Sequence, residues 1–355
     1  MSSMIDLRSD TVTLPTEAMR RAMAQAEVGD DVFGEDPTVR RLEEMAAERM
    51  GKEAGLLVCS GTMANLVSLL THCGRGTEAI VGDEAHIFHY EVGGASALGG
   101  IPLRQVPNDR MGRLPLDAVR NAIRGENVHY PPTGLIAIEN SHNRCGGPVL
   151  GVEYIQAISE LAHSHGIPVH MDGARIFNAA IALGVEPAVL AGPVDSVGFC
   201  FSKGLSAPVG SVITGSAEFI KRARKNRKMV GGGMRQAGVI AAAAIVALEQ
   251  MVDRLADDHR RARRLAEGLA EIPGIHVDLG PVQTNIVLFQ IAARDRDARW
   301  FVQSLAQEGI RCLEHAGHGV RMVTHYGIED EDIERTLAAA KRVMGPVAKP
   351  SVAVL

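Results

Sequence analysis

The sequence predicts an α/β fold in which a large domain, with a mostly parallel mixed sheet between helices, precedes a small α+β domain. Three observations point there. Short apolar runs alternate with longer helical patterns through the first two-thirds of the 355 residues. Several of these runs are apolar at every position, as strands covered by helices on both faces must be. Beyond residue 272 the pattern changes, and short strands flank two helices.

The elements follow in chain order. Asp36 is a cap and Pro37 a first helical residue, so a helix is expected over 38–50. Val39, Leu42, Ala46 and Met50 trace its apolar face. A strand over 54–59 leads through Ser60, Gly61 and Thr62 into a helix over 63–72. Strands over 79–82 and 101–106 precede a helix over 116–123. A strand over 135–139 leads to a helix over 152–165, and strands over 168–171, 196–201 and 211–214 complete the sheet. From 237 to 272 a helical pattern runs with only Gly238 and Gly268 as breakers. That is long for one globular helix, so a bend is expected near its middle, where the chain enters the second domain. There, strands over 275–278, 285–290 and 320–324 flank helices over 294–308 and 329–344. The division expected is a large domain over 1–250, N-terminal segment included, a small domain over 251–345, and a flexible tail over 346–355.

Composition excludes several classes. A net charge of −5 and a pI near 6.2 give no general attraction to nucleic acid or an anionic membrane. The cysteines, Cys59, Cys73, Cys145, Cys200 and Cys312, are odd in number and form no C-x-x-C pair. Neither a disulfide framework nor a cysteine zinc site is expected, and a reduced cytoplasm is. The N-terminus lacks the apolar core of a signal peptide. The longest apolar run, 237–248, is too short to span a bilayer.

Two apolar runs end in residues that carry chemistry. One delivers Asp172 in His170-Met-Asp-Gly-Ala-Arg175, and the next delivers Lys203 into a turn of small residues. A buried strand ending at an acid, followed by one ending at a lysine, is what a pyridoxal phosphate (PLP) enzyme needs. The amine forms a Schiff base with the cofactor aldehyde, and the carboxylate keeps the pyridinium nitrogen protonated. The plainer reading is two ordinary strand-to-loop junctions with a solvated lysine.

Other segments bear on that choice. Ser60, Gly61 and Thr62 open a helix, whose N-terminus suits a phosphate, although a simple cap would look the same. His86 and His89 lie three apart after a strand, and His163, His165 and His170 could add ligands. No segment gives a specific ligand spacing, so no metal site is expected. A flat imidazole there could instead stack on a flat cofactor ring. Glu139-Asn-Ser-His142-Asn143 reads as a site wall at another strand end. His86, His142, Asp172 and Lys203 thus all fall at strand ends, where open α/β sheets bind ligands. The basic run from Lys221 to Lys228 is ordinarily a solvated helix face and could touch nucleic acid. The glycines at 231–233 lack the preceding strand of a dinucleotide loop. Arg321, inside an apolar strand, needs an anionic partner, either a surface salt bridge or a substrate carboxylate.

Taken together, the sequence resembles the low-specificity L-threonine aldolases, fold type I PLP enzymes of the aspartate aminotransferase superfamily. The resemblance runs from Leu7-Arg-Ser-Asp-Thr-Val-Thr13 to Arg321-Met-Val-Thr-His325. Its most specific pieces are Val-Gly-Asp-Asp-Val-Phe-Gly-Glu-Asp-Pro37, His-Met-Asp-Gly-Ala-Arg-Ile-Phe-Asn178, Phe-Ser-Lys-Gly-Leu205 and Lys-Met-Val-Gly-Gly-Gly-Met-Arg-Gln236. It implies that Lys203 carries the cofactor, Asp172 pairs with its ring nitrogen and His86 stacks on the ring. It implies that Ser60, Gly61, Thr62 and Ser202 bind phosphate, and that Ser9, Arg175 and Arg321 hold the substrate carboxylate, with Arg175 also among the cofactor contacts. His142 falls near the substrate hydroxyl, and Lys228 and Arg235 reach a neighbouring subunit's site in a homotetramer. Phe88, His89 and Tyr90 line a stretch in which family members differ. The implied reaction is retro-aldol cleavage of L-threonine, L-allo-threonine and related β-hydroxy amino acids to glycine and an aldehyde. His86, His142 or an ordered water could serve as base. The nearest rival is an aminotransferase or β-eliminating lyase of the same fold, and a more distant one is a nucleic-acid-binding protein using the basic run.

Overall fold

The computed structural model describes residues 4–293, 296–315 and 319–345. The apolar runs of the first two-thirds assemble into one sheet. After a short N-terminal strand β1 (Ile5–Asp6), its strands are β2 (Ala54–Val58), β3 (Glu78–Gly82), β4 (Leu103–Val106), β5 (Thr133–Glu139), β6 (Val169–Asp172), β7 (Ser196–Cys200) and β8 (Ser211–Gly215). Their order is β2-β8-β7-β6-β5-β3-β4. β8 runs antiparallel to both its neighbours and the remaining pairs are parallel, so the expected mostly parallel mixed sheet is present. β3, β6, β7 and β8 are buried at every position because helices cover both faces. β4, at the edge, is half-exposed.

Some boundaries move for local reasons. The strand expected from 101 starts at Leu103, because the N–H of Ile101 bonds the Ala95 carbonyl at a helix end and Pro102 has no N–H to offer a ladder. The long pattern over 237–272 resolves into two helices, Gly238–Gln250 and Leu255–Ala270, and the chain turns between them. A helix not expected, Glu17–Ala24, is capped by the Thr16 side chain and packs on Gly238–Gln250.

The C-terminal third forms a second core. β9 (Ile275–His276), β10 (Ile286–Ile291), β11 (Ile310–Arg311), β12 (Leu313–His315) and β13 (Gly319–Val323) alternate with the helices Ala298–Gln307 and Asp330–Met344. β12-β13-β10-β9 make an antiparallel sheet. β1 pairs in parallel with β11, and Ile5 and Leu7 bury themselves in this second core. The start of the N-terminal segment therefore belongs with the small domain, not the large one, because its apolar side chains are covered there. The chain then crosses to the large domain along Arg8–Thr13, where Thr13 Oγ1 donates to the Lys203 carbonyl at 3.2 Å. The expected tail over 346–355 and the expected helix start at Arg294 lie outside the described residues. Among the described residues no helix is long and apolar enough to cross a membrane.

The basic run is less of a solvated face than its composition suggests. It lies on the helix Ala217–Met229, where Arg222 donates to the Thr71 carbonyl at 3.1 Å and Arg224 pairs with Glu43 at 2.8 Å. Arg227 is 2% exposed and bonds Asp31 at 2.6 Å and the Leu57 carbonyl at 2.7 Å. These contacts tie the helix to its neighbours, but only Arg227 leaves the surface, while Arg222 stays exposed and Arg224 partly exposed.

Candidate active site

The carboxyl ends of β3, β5, β6 and β7 open beside the small domain. A cleft of about 410 Å³ there is lined by Ser9, Thr11, His86, Tyr90, Asn143, Arg175, Lys203, Arg321 and the strand β12. Each side chain arrives by its own element. Lys203 stands three residues beyond β7, in a turn held by Ser206 N–H on the Lys203 carbonyl at 2.9 Å. Ser206 takes a left-handed φ of 62°, which lets the chain reverse so tightly. His86 opens the four-residue helix His86–His89 after β3, and its backbone N–H donates to Glu139 Oε2 at 2.8 Å.

Asp172 ends β6, buried next to His86. It accepts from the Ala174 N–H at 3.0 Å and from Asn65 Nδ2 at 2.8 Å. Burial alone would raise its pKa, but His86 and Lys203 outweigh it, and the carboxyl is held below its usual range. Burial likewise opposes charge on His86, yet the 2.9 Å bond to Glu91 Oε1 and the nearby Asp172 raise its pKa. Glu91 itself is pushed up, chiefly by burial.

The far wall carries two guanidiniums, those of Arg175 and Arg321. Arg175 Nε and Nη2 grip Asp10 at 2.7 and 2.8 Å, and Asn285 of the small domain also donates to Asp10 at 3.2 Å. Asn143 Oδ1, whose backbone N–H is fixed by Glu139 at 2.8 Å, accepts from Arg175 Nη1 at 3.3 Å and from Arg321 Nη2 at 2.9 Å. Arg321 Nη1 donates to the Arg8 carbonyl at 3.1 Å, and its Nε has no partner among the described residues. The two guanidiniums thus share one amide oxygen, that of Asn143, while of the two only Arg175 bonds the Asp10 carboxylate. Burial, and then Arg175, push Arg321 down to about 10. Two neighbouring cations, Arg175 buried and Arg321 partly buried, with one carboxylate bonded to Arg175 and an unspent N–H on Arg321, could receive a second carboxylate.

The segment after β2 forms the expected helix start. The Ser60 side chain is used as a cap on the Met63 N–H at 3.2 Å. The backbone N–H groups of Gly61 and Thr62 have no protein partner among the described residues and face outward from a twelve-residue helix. A Cβ on Gly61 would lie 2.8 Å from Cys200 Sγ, so glycine is what lets this helix start sit against the end of β7. The donor set is a lysine, an ionised buried carboxylate, an imidazole and a helix N-terminus, and it fits PLP.

Comparison with known proteins gives the family. The beta-eliminating lyase family model matches residues 6–293. The chain is 48% identical over 351 residues to low-specificity L-threonine aldolase 1 of Arabidopsis thaliana, covering 98% of each chain. It is 44% identical over 335 residues to low specificity L-threonine aldolase of Escherichia coli K12, covering 94% of this chain and 98% of that one. The chain belongs to the low-specificity L-threonine aldolase family. A threonine aldolase structure from Leishmania major superposes with a TM-score of 0.81 at 18% identity, covering 96% of this chain and 100% of that one. The fold is that of the fold type I PLP enzymes.

Not every residue that the threonine aldolase resemblance singled out enters the cleft. Ser9, His86, Arg175, Lys203 and Arg321 line it. Ser60, Gly61, Thr62, Asp172 and half-buried Ser202 are not among its lining residues, and neither is His142. The His142 ring is 1% exposed and packed under Gly112, where an added Cβ would come within 2.8 Å of it. Lys228 and Arg235 are exposed and lie away from this chain's own cleft, with Arg235 paired to Asp30 at 2.9 Å. Sequence reasoning missed Asp10, Asn65 and Glu91 as working parts of this threonine aldolase family site. Asn65 did carry a signal, since an amide inside the apolar helix run Met-Ala-Asn-Leu-Val must find buried partners.

Proposed function

We propose that this chain holds PLP on Lys203 and cleaves L-threonine, L-allo-threonine and related L-β-hydroxy-α-amino acids to glycine and an aldehyde. The observation that carries the reading is the paired-guanidinium receptor of Arg175 and Arg321 facing Lys203 across one cleft. When bound, PLP supplies an electron sink for the bond that breaks at Cα. Arg321, Arg175, Asn143 and Ser9 bind the substrate carboxylate and fix rotation about Cα, so that the Cα–Cβ bond is the one aligned for cleavage. Gly61 and Thr62 hold the phosphate through backbone N–H groups, with Ser60 capping the helix behind them and Ser202 nearby. Asp172 would pair with the protonated ring nitrogen and His86 would stack on the ring. His86 also supports a role in taking the β-hydroxyl proton, because it lines the cleft and is backed by Glu91, whereas His142 is buried away from it. The deciding assay is product analysis on L-threonine and L-allo-threonine. Equal release of glycine and acetaldehyde is expected. Pyridoxamine phosphate and a keto acid without acetaldehyde would assign the chain to an aminotransferase instead.

The reading extends to assembly in the cytoplasm as a homotetramer. Lys228 and Arg235 are exposed and off their own cleft, which supports a role at a neighbouring copy's site. Mixing Lys203→Ala subunits with Arg235→Ala subunits, each inactive alone, should restore part of the activity by subunit exchange. A fully active monomer in sedimentation removes this part of the reading.

A further inference from the structure

Behind Asp172 a line of polar side chains runs away from the cleft through an apolar layer. Asn65 and His72 are seven residues apart on the helix Gly61–His72, so they share a face. His170 and Asp172 are two apart on β6 and share a face of the sheet, and Ser196 of β7 sits opposite His170 in register. The helix packs on β7, which brings the two faces together.

Donor and acceptor counting outward from the Asn65 amide gives one self-consistent direction for these bonds. Asn65 Nδ2 donates to Glu91 Oε1 at 2.7 Å and to Asp172 Oδ2 at 2.8 Å. An ionised carboxylate only accepts, so the amide can face one way, and Asn65 Oδ1 meets His170 Nε2 at 3.2 Å. That nitrogen therefore carries a proton. Burial pushes His170 down to about 4, so the ring is neutral near pH 7 and its Nδ1 is bare. Nδ1 accepts from Ser196 Oγ at 2.8 Å. The single hydroxyl proton is now used, and Ser196 Oγ accepts from His72 Nε2 at 2.7 Å. Burial first, and then His170, hold His72 down at about 3.

We propose that His72, Ser196, His170 and Asn65 form a one-way hydrogen-bond chain that locks the Asn65 amide, so that both its N–H groups hold Glu91 and Asp172 in place. The ligand atoms of His86, Glu91 and Asp172 all lie within 4.8 Å of one another. Two carboxylates that close tend to share a proton, and donors aimed at both oppose it. A reversed amide would instead point its oxygen at both acids. None of the four touches the cleft, so they are positioning residues, and their value for catalysis rests on the function proposed above.

The first test needs neither a variant nor the reaction. Nitrogen NMR of histidine-labelled, cofactor-free protein should show His72 and His170 neutral at pH 7, each with its proton on Nε2. A His170 that is charged, or protonated on Nδ1, overturns the proposal. The second test uses Ser196→Ala, which leaves Asn65 and both carboxylates untouched. His170 should lose its fixed tautomer and kcat should fall about tenfold or more with KM little changed. Ser196→Thr, which keeps the hydroxyl, should restore both signals. Wild-type kcat in a folded Ser196→Ala enzyme overturns the positioning role. A wild-type protein that fails to cleave threonine defeats the functional reading alone, because the NMR result stands without it.

Discussion

Lys203→Ala should fold like the wild type and lose at least about a thousandfold in turnover, the scale of losing a covalent catalytic group. Retained folding follows from where the turn is held. The carbonyl of Lys203 takes the bonds from Thr13 and Ser206, and both are backbone contacts that alanine keeps. The ammonium makes no hydrogen bond among the described residues, and its influence on Asp10 and Asp172 is electrostatic only. Borohydride reduction of the wild-type protein, followed by peptide mapping, should find the cofactor on the peptide containing Lys203. Attachment at any other lysine refutes the assignment. Circular dichroism of the variant checks the fold, and unchanged spectra with lost turnover are the expected pair.

The parts of this molecule that could be read from sequence are those where one residue type satisfies a local rule. The strand runs and the Asp36–Pro37 helix start depend on neighbours within a few residues, and the structure places them within a residue or two. Lys203 and Asp172 were visible because each stands alone at the end of an apolar run. What stayed hidden depends on residues far apart in the chain. Asp10 is a working part of the site only because Arg175, 165 positions later, folds onto it. Glu91 looks like one acid in a polar loop until Asn65 and His86 meet it. The anchoring of Arg224 and Arg227 within the otherwise largely exposed basic run was hidden for the same reason, since their acids, Asp31 and Glu43, lie far upstream. The break after Gln250 has no glycine or proline to mark it, but the length of the pattern alone predicted a bend near its middle, and the chain turns there. Direction was hidden as well. His142 and His86 both follow strands, but His86 lines the cleft and His142 is buried beneath Gly112.

Arg321→Ala should retain PLP and lose about thirtyfold to a few thousandfold in kcat/KM, the equivalent of about 2–5 kcal/mol for a charge-assisted contact to a buried anion. The argument turns on what Arg321 lacks. Its two bonded nitrogens donate to neutral acceptors, the Arg8 carbonyl and Asn143 Oδ1, and its Nε is unspent. Asp10 could have been its counterion, but Arg175 holds both of that carboxylate's oxygens. Burying a guanidinium without an acid of its own is costly, and the cost is visible in a pKa pushed down to about 10. A substrate carboxylate recovers it. Removing the side chain should therefore leave the empty protein nearly as stable as before while weakening the complex. Arg321 also reaches Asn143 from β13 of the small domain, so it helps set the angle at which the carboxylate is held. Part of the loss should then appear in kcat, with relatively more transamination or racemisation, because a loosely held Cα can present the wrong bond. Steady-state kinetics on L-threonine and L-allo-threonine, with pyridoxamine phosphate measured alongside, separates these effects. Unchanged kinetics on both substrates would leave Arg321 a purely structural residue joining the small domain to Asn143.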